Sequence, residues 1–180
     1  VNANRIAAHA GHSSSARQYE YVVMPVLRFP DMAPASVTIM DGPFCCLLPS
    51  GQNGDHLLDH VEHSVVARED TALLNSMWLD PATSPFAEVD EQNFSDRILS
   101  ASAHYIPELQ AAQIVGFTQG ARVVLANVDD TDARPSIVAL REPGFVDVFS
   151  GKIDHSVWVG DEVVELLSAT ADSHLLDAPL

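Results

Sequence analysis

The residues best placed to do chemistry stand in one stretch, Pro143-Gly144-Phe145-Val146-Asp147-Val148-Phe149-Ser150-Gly151-Lys152-Ile153, followed by Val159, Val163, Leu166 and Leu167. It reads as a turn, a buried strand, a Gly-containing loop and an amphipathic helix. That order turns backbone N–H groups toward an anion or the polar edge of a ring. Gly151 permits close backbone approach. Lys152, the chain's one lysine, can stabilise negative charge. The plain alternative is a strand-to-helix turn with a solvated lysine. Nucleotide-binding loops often carry G-x-G-x-x-G, yet the nine glycines here never fall even as G-x-G.

A second set is His56, His60 and His63, spaced H-x3-H-x2-H with Asp59 and Glu62 between them. On a helix the three would share a face, as metal ligands need. On a strand His56 and His60 share one face and His63 takes the other. The β-branched Val61, Val65 and Val66 favour the strand, so surface histidines are expected rather than a metal site. His12 stands beside Ser13, Ser14 and Ser15, but no acid is placed to orient its imidazole, and a solvated hinge is the simpler reading. The chain has no G-x-S-x-G elbow and no H-E-x-x-H.

The elements that must position these residues follow from the spacing of apolar and turn residues. Ile6–Ala8 begins a helical turn. Strands are expected over 18–28, broken by Pro25, then over 36–41, 44–48 and 57–66, closed by Pro, Gly and Asp turns as in an antiparallel meander. Residues 67–92 read mostly as loop, with a helical turn near Leu73–Trp78. Asn93 is a plausible N-cap for a helix carrying Phe94, Ile98, Ala101 and Tyr105, and Pro107 suits the start of a second short one. Ile114–Thr118 and Ala121–Asn127 read as a hairpin around Gln119-Gly120. Asp129–Asp132 is an acidic turn, 136–140 and 144–149 are strands, and the last helix follows. Strands, helices, strands and a helix in that order make the chain α+β.

Several short motifs then stand in one order: Val1-Asn2-Ala3, Tyr19-Glu20, Asp41-Gly42-Pro43-Phe44, Leu48-Pro49, Tyr105-Ile106-Pro107-Glu108-Leu109, Asp132-Ala133-Arg134-Pro135, Gly144-Phe145 and Ser150-Gly151-Lys152-Ile153. Taken together they resemble the later half of a flavin-dependent oxidoreductase of the D-amino-acid-oxidase type. The resemblance implies an end of an FAD-domain segment and hinge over 1–15. A substrate-domain antiparallel sheet with helices would follow over 16–130, and returning FAD-domain strands with a C-terminal helix over 131–180. It implies FAD as cofactor, with Ser150, Gly151, Lys152 and Ile153 as the flavin-proximal loop. Arg134, at the re-entry point, would anchor a substrate carboxylate, or else pair with Asp129, Asp130 or Asp132. Tyr21 and Arg17 on the first strand would line the substrate pocket. The family's dinucleotide fingerprint, with its helix and acidic ribose ligand, is absent from these residues. The chain alone is therefore expected neither to bind FAD tightly nor to oxidise anything.

Bulk properties narrow the alternatives. The 180 residues suffice for an ordinary domain core, and 47% hydrophobic content argues against disorder. Nine Lys and Arg against 25 Asp and Glu give a net charge of -16, which repels nucleic acid and anionic membranes. The adjacent Cys45 and Cys46 cannot bridge without strain, and with no other cysteine a reducing cytoplasm is the simplest compartment. No run reaches membrane-spanning length and no signal peptide is evident. The first residue, Val, reads as processing or as a piece of a longer chain. The activity that the resemblance implies is oxidation of a small amine, amino acid or hydroxy acid. An exposed sheet face would favour homo-oligomers, and the rival reading is a stand-alone, non-catalytic α+β domain that binds a ligand or partner.

Overall fold

The computed structural model describes residues 3–12, 17–40, 44–51, 53–126 and 134–176, with side chains over 5–12, 17–40, 44–51, 53–126 and 134–169. The Ser13–Ser15 hinge, the Gly42-Pro43 turn and the acidic Asp129–Asp132 turn expected above lie outside these residues. The fold is α+β with antiparallel sheets and three helices. It divides into two compact units. One comprises Val1–Gln18, Asp70–Leu73 and Val123–Leu180, the other Tyr19–Glu69 and Leu74–Arg122. No helix among the described residues is long and apolar enough to cross a membrane.

The 19–69/74–122 unit is built on β1 (Arg17–Arg28), β2 (Val37–Ile39), β3 (Cys45–Ser50), β4 (Asp55–His60), β5 (Val65–Thr71) and β6 (Gln113–Val124). The sheet order is β2-β3-β4-β1-β5, with β6 also paired to β1. The β3–β4 hairpin sets Cys45 opposite His60 and Leu47 opposite Leu58, while Leu27 of β1 faces His56. Side chains alternate across a strand, so Tyr19, Tyr21, Val23 and Leu27 enter one face, and all four are buried. Helix α2 (Glu91–Ala103) presents Phe94, Ser95, Ile98 and Ser102 at helical spacing to the core. Phe86, Phe94 and Phe117 meet edge to face with centroids 5.1 to 6.0 Å apart.

The other unit contains α1 (Ala3–His9), the hairpin β7 (Ile137–Glu142)–β8 (Phe145–Phe149), and α3 (Ser156–Leu176). Gly144 turns the hairpin at φ +82°, a conformation that a side chain disfavours. Both α1 and α3 pack on the hairpin. Its core is thin: among the described residues, only Ala7 and Phe149 of this unit are buried apolar side chains.

Four local expectations change. The strand expected over 57–66 ends at His60, because His63 and Ser64 donate N–H to the His60 carbonyl at 3.1 and 2.9 Å, while Ser64 Oγ accepts from His60 N–H at 2.8 Å. Those bonds make a turn, and a new strand restarts at Val65. The expected hairpin at Gln119-Gly120 is one continuous strand. Gly120 does not take the positive φ that a two-residue hairpin needs, and Gln119 is held by Tyr21 and Ser84. The helix cap lies three residues before the expected one, since the Asp90 carboxylate, rather than Asn93, accepts an end N–H, that of Asn93 itself at 3.1 Å. Pro25 interrupts nothing, as β1 runs through it.

Candidate functional site

Strand β8 delivers Phe149 to the loop Ser150–Lys152, and a 3-10 turn at Ile153–His155 leads into α3. Ser136, just before β7, ties this loop down. Its Oγ accepts the Gly151 N–H at 3.0 Å and lies 3.0 Å from His155 Nδ1. The Lys152 carbonyl accepts from His155 N–H at 3.2 Å and from Ser150 Oγ at 3.4 Å. The His155 ring leans on Trp158 with centroids 4.6 Å apart. The Gly151 N–H, the Ser150 hydroxyl and the Lys152 carbonyl are thus engaged by the chain itself, while the Lys152 and Ile153 side chains are exposed.

Gly151 is glycine for a specific reason. A Cβ there would collide with the Arg134 carbonyl and come within 2.7 Å of the Pro135 oxygen. The close approach that the sequence suggests is therefore between two stretches of this chain, and no empty cradle lies on that side of Gly151. Arg134 is exposed, and its backbone forms the other side of that contact. Arg17 places its guanidinium carbon 4.5 Å from the centre of the Phe149 ring, a cation–π contact, and its buried Nε finds no hydrogen-bond partner among the described residues. Arg17, Arg134 and Ser150–Ile153 are accordingly brought to one stretch of chain around the end of β8.

Tyr21 belongs to the 19–69/74–122 unit. It is buried there, its hydroxyl donates to Gln119 Oε1 at 3.0 Å, and its ring meets Trp78 edge-on at 5.7 Å. Its polar end is therefore held by Gln119.

His56 and His60 do share a face of β4, but it is the core face, and both are buried. His56 Nε2 accepts from Ala35 N–H at 3.4 Å, and Phe29 packs edge-on at 5.2 Å. His60 Nδ1 accepts from Glu62 N–H at 3.2 Å, and His63 stacks on it at 4.5 Å. Burial, reinforced by the neighbouring His63 charge, lowers the His60 pKa, while Glu62 and Asp59 oppose the shift. Among the described residues His56 Nδ1 and His60 Nε2 find no hydrogen-bond partner. Burial likewise raises the pKa of Cys45, which lies opposite His60. Among the described residues no group of three or more His, Cys, Asp or Glu is placed to hold a metal ion.

Sequence reasoning missed one charged constellation. Glu20, from β1, is buried, and its carboxylate oxygens accept from Arg68 Nε of β5 at 3.1 Å and Arg122 Nε of β6 at 2.6 Å. The available signal was a glutamate between two tyrosines in a strand, and an arginine in the apolar run Ala121-Arg122-Val123-Val124. Charges in such positions need partners.

No family model matches the chain, and no match to it was found among curated proteins or solved structures. The chemistry of these groups rests on their own geometry.

Proposed function

We propose that this chain is the later portion of a flavin-dependent oxidoreductase of the D-amino-acid-oxidase type, acting on a small amine, amino acid or hydroxy acid. The observation that carries the reading is the bare apolar side of the segment that would rejoin a cofactor domain. Ile153 is 92% and Val157 74% exposed, with Trp158 and Val164 also exposed, in a unit that buries only Ala7 and Phe149 among its described apolar residues. A strand-loop-helix of this composition is stabilised by a further layer against that face.

The residues fit one edge of an FAD and no more. Lys152 projects from the loop and can face the electron-rich end of a flavin ring. The space beside Gly151, however, is filled by the Arg134-Pro135 backbone, which leaves no phosphate cradle on that side of the glycine. When bound, a flavin accepts hydride from the substrate carbon. The chain's own contribution is to place Lys152 by the Ser136 tether, and to offer the Arg134 side chain to a substrate carboxylate. By this reading the isolated chain does not oxidise substrate or hold FAD tightly. Fluorescence titration of the chain with FAD tests that: submicromolar binding would overturn it. The cytoplasm, where Cys45 and Cys46 stay as thiols, is the proposed compartment.

The well-filled core of the 19–69/74–122 unit favours a second reading, a stand-alone α+β domain that binds a ligand or partner. Sedimentation separates the two. A chain missing a layer self-associates in proportion to concentration, and a stand-alone domain stays monodisperse.

A further inference from the structure

Arg28 and the Glu20 arginines use their guanidinium groups differently. Arg28 closes on Asp55 with two parallel bonds, Nε to Oδ1 at 2.8 Å and Nη2 to Oδ2 at 2.9 Å. Arg68 and Arg122 each reach Glu20 through Nε, and no hydrogen bond of their Nη groups is found among the described residues. The Glu20 side chain is 6% exposed, whereas those of Arg68 and Arg122 are 56% and 38% exposed. Anchoring Nε fixes the plane of a guanidinium, so the remaining N–H groups are presented outward in a set orientation. One arginine would neutralise the Glu20 carboxylate. The second brings two like charges to the same carboxylate and leaves the triad at excess positive charge, on a chain of net charge -16. An arriving anion relieves that repulsion and finds donors already oriented.

We infer that Arg68 and Arg122, held by Glu20, form a binding site for the oxyanion of a small molecule, a carboxylate or a phosphate group, on the β1/β5/β6 part of the sheet. The site stands whether or not the chain belongs to a flavoprotein, since it requires no cofactor. Its test is an NMR titration of the arginine Nε–Hε signals of the whole chain, using sodium acetate, sodium succinate or sodium phosphate against sodium chloride at matched ionic strength. Saturable shifts at Arg68 and Arg122, with Arg28 unmoved, are expected. Saturation by acetate and succinate assigns a carboxylate ligand, and saturation by phosphate assigns a phosphate. Arg68→Lys keeps the charge but loses the planar fork and weakens binding about tenfold. Arg68→Gln abolishes it, and retained Trp78 emission verifies the fold of either variant. Shifts that match the chloride control, or an affinity unchanged in both variants, would overturn the site.

Discussion

Replacing Gly151 by alanine tests whether that glycine serves the chain or a cofactor. The added methyl meets the Arg134 carbonyl and the Pro135 oxygen, which are backbone and cannot swing aside as a side-chain tip would. Overpacking against a fixed neighbour costs about 1–3 kcal/mol. If the loop moves to relieve it, the Gly151 N–H bond to Ser136 is lost as well, adding about 0.5–1.5 kcal/mol. The total, roughly 2–4 kcal/mol, corresponds to a midpoint lowered by about 5–15 °C in a chain of this size. The assay uses the two tryptophans, one in each unit. A Trp78→Phe background leaves Trp158, beside His155, to report the loop's own unit during urea unfolding. Gly144→Ala is the comparison: nothing lies within 4 Å of its added methyl, so its cost is only the backbone strain at positive φ, about 1–2 kcal/mol. A Gly151→Ala protein within about 0.5 kcal/mol of its parent, without any cofactor present, would refute the packing argument.

Other outcomes follow from the same contacts. Ser136→Ala removes the acceptor for Gly151 N–H and the partner of His155, so the Trp158-reported unit loses about 1–2 kcal/mol while the Trp78 signal is unchanged. His60 has its pKa lowered below the ordinary 6.5, so the unfolded chain takes up the proton first. Stability is therefore full above pH 6.5 and falls as the pH drops below it, and His60→Asn flattens that acid limb in urea titrations. The bond from Arg28 holds the Asp55 pKa below its ordinary 3.8, so its contribution is present above that pH and is lost on further acidification. Asp55→Asn should thus destabilise at neutral pH and lose its effect in strong acid. Phe94→Ala, at the centre of the aromatic cluster, costs about 3–5 kcal/mol, read by Trp78 emission.

Much of the architecture was legible where apolar spacing and turn residues agree. The strand through Tyr19–Leu27 buries the residues that its period selects, and the helix buries Phe94 and Ile98 though neither Ala101 nor Tyr105, while the strand Phe145–Phe149 forms as expected but buries only Phe149. Misreadings arose where a side chain competes with the backbone for hydrogen bonds. Ser64 closes a turn that the Val61 and Val65 pattern conceals, and Asp90 caps α2 ahead of Asn93. Gln119-Gly120 looks like a hairpin only while the hydroxyl groups that bind Gln119 are out of sight, being far away in sequence. The same distance hid Glu20, Arg68 and Arg122, whose proximity depends on strand order, which local sequence does not encode. At the loop, sequence identifies Gly151 as a site of close approach, but which atoms approach is a tertiary fact.

The proposed assignment turns on whether a flavin accompanies these residues. The direct measurement is the visible absorption spectrum of the protein made from the full uninterrupted reading frame that encodes this chain. The account predicts a flavin spectrum that bleaches when a small amine, amino acid or hydroxy acid is added under anaerobic conditions. A colourless protein that remains colourless after incubation with FAD would contradict it.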